Sequence, residues 1–196
     1  MSLIIENILD LIENYGEVEV NMILSVFSCP LNSDIETFLK DKAIEFAKQK
    51  IAITYIVSDG TSGKLLGYFS LANKAIFIND NAIESKTLKK RIHRFSSYDK
   101  DNGYTVPVYL LAQLGKNYNV EDGKSVHVEE LMSFVYCVCS KIQHLIGGSL
   151  IYLDVDCKNE KLIDLYHDSC GFVPFGKRIS SKDGKTYKLM IKYLPS

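Results

Sequence analysis

The sequence of 196 residues lacks tryptophan and has no stretch approaching ~20 consecutive apolar residues, so it predicts no membrane-spanning helix. Its opening residues, MSLIIENILD, include no basic segment, which argues against a secretory signal. The five cysteines are odd in number and lack the spacing of a disulfide framework. This cysteine usage predicts reduced thiols and a cytoplasmic location.

An excess of one charge is also lacking. The formal net charge is −1, whereas a protein whose main partner is nucleic acid usually carries a basic excess. The C-x-x-C and H-x-x-x-H patterns of metal sites are absent, and Cys137 and Cys139, two residues apart, would point to different faces of a helix. The sequence therefore predicts no metal site and disfavours nucleic acid as a partner.

The patterns that are present alternate between helix and strand, which predicts a single α/β domain over residues 1–196. In the first half, residues 3–15 predict a helix or strand-to-helix element, and residues 33–48 predict a helix capped by Ser33 and Asp34. Residues 51–57 and 65–71 then predict the two strands of a hairpin, and residues 85–97 predict a short basic helix.

The second half predicts a strand at 104–114, whose Pro107 lacks an N–H and implies an edge position, a bulge or a splay. Apolar residues spaced alternately three and four apart then predict a long amphipathic helix: Val128, Leu131, Val135, Val138, Ile142 and Leu145. A strand at 149–156, a helix at 160–167 and a strand at 187–194 complete the domain.

The turn Glu121-Asp-Gly-Lys-Ser-Val-His127 lies between the strand at 104–114 and the long helix. The first N–H groups of a helix lack intrahelical partners, and the helix dipole adds partial positive charge there, so such a turn is suited to an anion. Many turns of this kind bind no ligand, and both interpretations stay open on these grounds alone.

A more specific signal is the string Asn159-Glu-Lys-Leu-Ile-Asp-Leu165-Tyr166 followed by Gly171-Phe172. This string resembles the C-terminal motif of the GNAT N-acetyltransferase family. Upstream, Phe27-Ser-Cys29-Pro-Leu31 with Ile35, Phe38 and Leu39 is similar to the toxin-type branch. The resemblance implies a GNAT fold, with a mixed, mostly antiparallel central sheet, splayed central strands and flanking helices.

The resemblance also implies roles for individual residues. Acetyl-CoA would be the cosubstrate, without a metal, and Tyr166 would be the general acid that protonates the leaving thiolate. The coenzyme would be bound by strand-end residues, turn residues and one asparagine: Leu114, Gly115, Lys116, Gly123, Lys124, Ser125, Val126, His127 and Asn159.

The chain departs from the family pattern in two places. Asp122 stands where Gln or Arg is usual, and Ser125 and His127 stand where the key small residues are usual. One extra residue separates Tyr166 from Gly171. The backbone N–H groups of the turn could still bind phosphate, because every non-proline residue donates one.

Two further features admit more than one interpretation. Asp154 and Asp156 are candidates for a general base, or simply a solvated strand face. The basic run Lys86–Arg94 could steer an anion such as tRNA or the coenzyme phosphates. Alternatively, it is the solvated side of a helix whose Leu88, Ile92 and Phe95 face inward.

The sequence therefore favours an acetyl-CoA-dependent N-acetyltransferase acting on a primary amine of an unidentified acceptor. Two alternatives are a toxin-type enzyme that acetylates aminoacyl-tRNA and a GNAT-fold protein that binds acyl-CoA without turnover. No membrane partner is expected. The sequence leaves open whether tRNA is the acceptor, whether an antitoxin exists and whether the protein forms a homodimer.

Overall fold

A computed structural model describes residues 2–94, 96–99, 103–120, 125–181 and 183–194. Its strands are β1 Leu3–Asn7, β2 Ile53–Asp59, β3 Leu65–Asn79, β4 Ser97–Asp99, β5 Gly103–Lys116, β6 Leu150–Asp156, β7 Val173–Ile179 and β8 Thr186–Tyr193. Its helices are α1 Ile8–Tyr15, α2 Glu17–Ser25, α3 Ser33–Asp41, α4 Ala43–Lys48, α5 Lys86–His93, α6 Val128–Ile146 and α7 Glu160–Asp164. A 3-10 turn covers Asp80–Ala82, and a π-helical turn covers Leu165–Ser169.

The strands form a mixed sheet in the order β1-β2-β3-β5-β6-β8-β7, with β4 paired to β5. The pairing of β5 with β6 is parallel, whereas β1 with β2, β2 with β3, β6 with β8 and β7 with β8 are antiparallel. This confirms the predicted mixed, mostly antiparallel sheet. The parallel ladder contains only the pairs Tyr109 with Ile151 and Leu110 with Tyr152, as expected for splayed central strands.

The chain divides into two compact units. The first comprises residues 1–72 and 111–137, and the second comprises residues 73–110 and 138–196. Strands β3 and β5 and helix α6 therefore contribute residues to both units. None of the helices in the described part of the chain is long and apolar enough to cross a membrane.

The core of the first unit is built around the fully buried Tyr68 of β3. Its ring packs edge-on against Phe27 at 5.2 Å and is stacked with Phe38 at 6.5 Å between ring centroids. Its hydroxyl donates to the carbonyl of Ile35 at 2.6 Å. Three residues that carry the resemblance to the toxin-type branch thus have a shared physical role, because they enclose one buried tyrosine.

The core of the second unit is formed by apolar residues from β3, α5 and the strands β5 to β8. Helix α5 contributes Leu88 and Ile92, which are buried as the inward-facing interpretation of the basic run predicts. Phe95, the third residue of that interpretation, lies outside the described residues. Ser85 caps the helix, since its side chain accepts a hydrogen bond from the Leu88 N–H at 3.3 Å.

The predicted helix over 33–48 is wrong as a single element. The backbone at Lys42 leaves the helical region, with φ −129° and ψ −25°, and divides the segment into α3 and α4. The predicted caps are also wrong, because the side chain of Asn32 accepts the Asp34 N–H at 3.1 Å. Apolar spacing did not reveal the break because Leu39 and Ala43, on either side of it, are both fully buried.

Other differences lie at element ends and in short elements. The buried stripe of α6 does not include Leu145, which lies one residue before the end of the helix and is 78% exposed. Strand β7 was not predicted, and it contains Pro174 and Gly176 at a register shift, both unfavourable inside a strand. Helix α2 and strand β4 were not predicted either.

Pro107 does not place its strand at the edge of the sheet. Strand β5 lies between β3 and β6, so the edge alternative is wrong. The ladder to β6 begins at Tyr109, two residues beyond the proline. The missing N–H of Pro107 therefore falls where β5 has not yet paired with β6, which agrees with the predicted splay.

Candidate active site

Gly115, near the end of β5, lies in a space too small for any side chain. A Cβ atom at this position would be 2.4 Å from Ile35 Cγ2 and 3.0 Å from Tyr68 Cε1. Its neighbours Leu114 and Lys116 are half-buried. The resemblance assigns all three residues to the coenzyme, and the structure adds a packing reason for glycine in the middle.

Lys116 and the residues after it form a polar strand end. The Lys116 Nζ lies 5.0 Å from the centroid of the Tyr118 ring, within the range of a cation–π interaction. The Tyr118 N–H donates to the carbonyl of Ser28 at 2.8 Å. The end of β5 is thus joined to the Phe27–Leu31 segment through main-chain contacts.

Asn117 is a site residue that the sequence reasoning did not find. It is 2% exposed, its Nδ2 donates to the carbonyl of Leu65 at 2.8 Å, and its Oδ1 accepts the Ser28 N–H at 2.9 Å. The same oxygen accepts the Asn119 N–H at 3.0 Å. One side chain therefore fixes three backbone segments. The only available signal was a polar residue directly after an apolar strand, which is also typical of a plain turn.

A cavity of about 550 Å³ adjoins this strand end within the first unit. Its walls are partly apolar and partly polar: Val26, Lys64, Leu65, Asn117, Tyr118, Asn119 and Val120. Cavities of roughly 300–1,000 Å³ are typical of small-molecule sites. The volume is sufficient for part of a ligand of the size of a coenzyme.

At the start of α6, one N–H group of the predicted anion site already binds a side chain of the protein. The His127 N–H donates to Glu130 Oε2 at 2.7 Å, which is the glutamate half of a capping box. Val126 is fully buried and Ser125 is half-buried. Gly123 and Lys124, like Glu121 and Asp122, lie outside the described residues. A phosphate that binds the His127 N–H has to displace the Glu130 carboxylate.

Asn159 has a local structural role. Its Oδ1 accepts the Leu162 N–H at 3.2 Å, which makes it the N-cap of α7. Its own N–H donates to the carbonyl of Asp156 at 2.9 Å. The residue is exposed, and its side-chain NH₂ group makes no hydrogen bond to another described residue.

Tyr166 lies in the second unit and is 6% exposed. Its ring meets the fully buried Phe172 ring edge-on, with centroids 5.7 Å apart. Burial raises the pKa of the Tyr166 phenol above its usual range, and the nearby Cys170 thiol adds to the effect. No hydrogen bond joins its hydroxyl to any other residue within the described ranges.

The extra residue between Tyr166 and Gly171 is absorbed by the π-helical turn Leu165–Ser169. The Cys170 N–H donates to the carbonyl of Leu165 at 3.2 Å, five residues back rather than four. The Phe172 N–H then returns to the carbonyl of Tyr166 at 2.9 Å, with Gly171 at φ +71°. A wider turn of helix thus lies between Tyr166 and Phe172, whose rings are in contact.

Both aspartates considered as general bases have partners. Asp154 Oδ2 accepts from Arg178 Nε at 2.5 Å, and the Arg178 guanidinium lies 4.7 Å from the centroid of the Tyr187 ring. Asp156 Oδ1 accepts the Lys158 N–H at 2.9 Å. Asp154 in particular is held as an ion pair, so neither position stands out as a base.

The cysteines are all free thiols, of which Cys29, Cys139 and Cys170 are buried. Cys137 is exposed and Cys139 is buried, which confirms that they lie on different faces of α6. Over the described ranges, no group of three or more His, Cys, Asp or Glu side chains is arranged to hold a metal ion.

No protein-family model and no curated protein matches the chain. Solved structures do. AtaT in complex with acetyl-methionyl-tRNAfMet matches with a TM-score of 0.64 and 20% identity over 95% of this chain and 94% of AtaT. A mutant of KacT matches with a TM-score of 0.64 and 21% identity over 98% of this chain and 95% of KacT. AtaTR bound with acetyl-CoA matches with a TM-score of 0.57 and 17% identity over 97% and 92%. At these identities the likeness shows a shared fold.

Proposed function

From the GNAT fold that this chain shares with AtaT and KacT, we propose that it is an acetyl-CoA-dependent N-acetyltransferase acting on a primary amine. The observation that carries the proposal is the placement of Tyr166, a buried phenol whose ring packs against Phe172 at the end of the segment that begins at Asn159. The coenzyme in the AtaTR structure supports the choice of acetyl donor.

Acetyl transfer to an amine places specific demands on the chain. The acetyl thioester is supplied by the coenzyme, the amine nitrogen bonds to its carbonyl carbon, and the carbon–sulfur bond breaks. Tyr166 donates its phenolic proton to the leaving sulfur, and the proton lost by the amine restores the phenol through solvent. An amine that is already neutral needs no base, which suits an α-amine of pKa about 8 better than a lysine of pKa about 10.4.

The chain offers backbone groups for the coenzyme rather than a set of charged side chains. We assign Leu114, Gly115 and Lys116 to the pantetheine arm, and the N–H groups of Ser125, Val126 and His127 to the pyrophosphate. Gly123 and Lys124 belong to the same proposed site, and the assignment of Asn159 to the coenzyme rests on the resemblance alone.

The experiment that tests the proposal combines binding and turnover. Acetyl-CoA should raise the melting temperature, and an amine panel followed by mass spectrometry should reveal an acetylated product. Tyr166→Phe should lower kcat by about 10²-fold or more while leaving the Kd for acetyl-CoA unchanged. Tyr15→Phe, at a 58% exposed tyrosine, is the matched control and should keep full turnover.

Three results would contradict different parts of the proposal. Unchanged turnover in Tyr166→Phe removes the assigned acid. Binding of acetyl-CoA without any acetylated product favours the non-catalytic acyl-CoA-binding alternative. The absence of any melting shift at millimolar acetyl-CoA counts against both.

A second candidate is acetylation of aminoacyl-tRNA, favoured by the structure of AtaT in complex with acetyl-methionyl-tRNAfMet. The α-amine of an aminoacyl ester has the low basicity that the base-free mechanism needs. Incubation of charged tRNA and of free amino acids with acetyl-CoA separates the acceptors. Growth arrest on expression, relieved by Tyr166→Phe, would identify a toxin, whereas acetylation of free amines alone would exclude this candidate.

A further inference from the structure

The basic run forms one wall of a cavity in the second unit. Lys86, Lys90 and His93 follow one another at spacings of four and three along α5, so they share one face of the helix. The buried Leu88 and Ile92 occupy the opposite face. A cavity of about 430 Å³ is lined by these three residues together with Lys89 and Tyr104.

Two of the cations along the run are already bound within the protein. Lys89 Nζ pairs with Asp80 Oδ1 at 3.1 Å, and the Arg91 guanidinium lies 4.4 Å from the centroid of the Tyr193 ring. Lys86 and Lys90 are exposed, and neither forms an ion pair with an acid in the described parts of the chain. Among the described residues, no acidic side chain therefore pairs with these two lysines at the cavity.

Tyr104, which also lines the cavity, packs against two neighbouring rings. Tyr104 is 7% exposed; burial raises the pKa of its phenol, and the nearby Asp80 carboxylate adds to the effect. The rings of His93 and Tyr98 meet the Tyr104 ring edge-on, with centroids 5.8 Å and 5.3 Å away. Asp80 is thus engaged by Lys89 and Tyr104, which leaves the other two lysines without it.

Two lysines four residues apart on a helix repel each other, and Lys86 also lies in the first turn, where the helix dipole disfavours a cation. A bound anion removes both costs. The volume of the cavity is larger than one phosphate needs and falls in the range of small-ligand sites.

We propose that Lys86, Lys90, His93 and Tyr104 form an anion site for a phosphoryl group, beyond the acetyl transfer proposed above. The two ammonium groups and the imidazole bind the phosphoryl oxygens, and the Tyr104 ring limits the depth of the site. The phosphoryl group can belong to a small phosphorylated compound or to an RNA backbone, which offer the same chemistry to this surface.

The test is the double variant Lys86→Gln/Lys90→Gln against the control Lys42→Gln/Lys141→Gln. Both remove two charges from exposed lysines and retain the apolar part of the side chain. Inorganic pyrophosphate is titrated by calorimetry, and a labelled short oligouridylate is titrated at several salt concentrations. Acetyl-CoA is titrated in parallel, and thermal melting confirms that each variant is folded.

The expected result is that the Lys86/Lys90 variant binds a phosphoryl probe about tenfold or more weakly than the wild type, whereas the control does not. Loss of pyrophosphate binding identifies a small phosphorylated ligand. Loss confined to the oligouridylate, with a decrease of about 1.4 in the log–log salt slope, identifies an RNA backbone.

Equal binding by both variants, or no binding of either probe by the wild type, overturns the proposal. A matching loss of acetyl-CoA affinity in the Lys86/Lys90 variant overturns it as well, because the cluster would then serve the coenzyme. Absence of acetyl-CoA binding in every protein, with the phosphoryl effect intact, would instead count against the proposed acetyltransferase.

Discussion

The start of α6 and the segment from Asn159 to Phe172 both depart from the GNAT pattern, but they differ in how the structure accommodates the change. In the second segment, the extra residue is taken up by the backbone as a π-helical turn, and Tyr166 stays against Phe172. At α6, unusual residues replace small ones, and a carboxylate of the protein binds the His127 N–H.

The difference shows that an insertion and a substitution do not disturb a site in the same way. An inserted residue inside a helix can be absorbed by one wider hydrogen-bonded turn, which leaves the flanking side chains in place. A substitution at a helix start changes which group satisfies the free N–H groups. If the proposed function holds, the change at the start of α6 should affect the affinity for the coenzyme more than the insertion near Tyr166 affects turnover.

The contact between Tyr166 and Phe172 should be the most sensitive to mutation. Phe172→Ala removes a fully buried ring, and the free energy of unfolding should fall by about 3–5 kcal/mol. Val173→Ala, at a neighbouring position that is 41% exposed, is the control and should change it by about 0.5 kcal/mol or less. Urea denaturation measures both. Similar losses in the two variants would show that the aromatic pair does not anchor this segment.

The strand end before α6 should be sensitive to a single methyl group. Gly115→Ala brings a Cβ to 2.4 Å from Ile35 Cγ2, so stability should fall by about 1–3 kcal/mol. The control Gly176→Ala places its Cβ no closer than 3.8 Å to a neighbour and should be nearly neutral. Thermal and urea denaturation report the difference, and a neutral Gly115→Ala would show that Ile35 moves aside freely.

The π-helical turn can be tested by deleting a residue. Removal of Asp168 should restore ordinary helical hydrogen bonding and cost at most about 1 kcal/mol, the size of one hydrogen bond. Deletion of the exposed Ser133 within α6 should cost about 3 kcal/mol or more, because the following buried residues rotate by about 100°. Equal costs would mean that the turn is not what absorbs the extra residue.

The smallest expected effect concerns Glu130. Glu130→Gln keeps a hydrogen-bond acceptor for the His127 N–H but removes the charge that competes with the pyrophosphate. Acetyl-CoA should bind about 2–5-fold more tightly, equivalent to about 0.4–1 kcal/mol, the size expected for a charge at a helix start. The control, Glu129→Gln, removes an equal charge from the preceding residue, whose side chain is not the partner of the His127 N–H. If calorimetry finds that both variants bind acetyl-CoA more tightly by the same factor, the cause is the lower negative charge of the helix start and not competition for the His127 N–H.

The sequence predicted the parts of the fold that follow from a regular pattern. The alternating spacing of the apolar stripe predicted α6, and the predicted helix over 160–167 corresponds to α7 and the π-helical turn that follows it. The break at Lys42 was missed because apolar positions on both sides of it remain buried. A periodic pattern records which side of a segment is buried and not whether the backbone is continuous.

The candidate site was harder to predict because much of it depends on side chains that bind backbone groups far away. Asn117 joins segments that are 52 and 89 residues distant along the chain, and no spacing rule reports such contacts. The capping box at α6 was missed because His127 is not among the usual N-cap residues, although Glu130 stands at the right distance. The site assignments to the coenzyme stay predictions.

The division of the first unit between residues 1–72 and 111–137 has a consequence for how the protein emerges from the ribosome. The β1–β2–β3 sheet can pair early, but its fourth strand, the end of β5, and the first turns of α6 are synthesised only after the intervening 38 residues. During that interval the Tyr68 ring lacks its packing contact with the backbone at Gly115. At about 5–20 residues per second, the nascent sheet would wait some seconds with an unpaired edge, a period in which chaperone binding is expected.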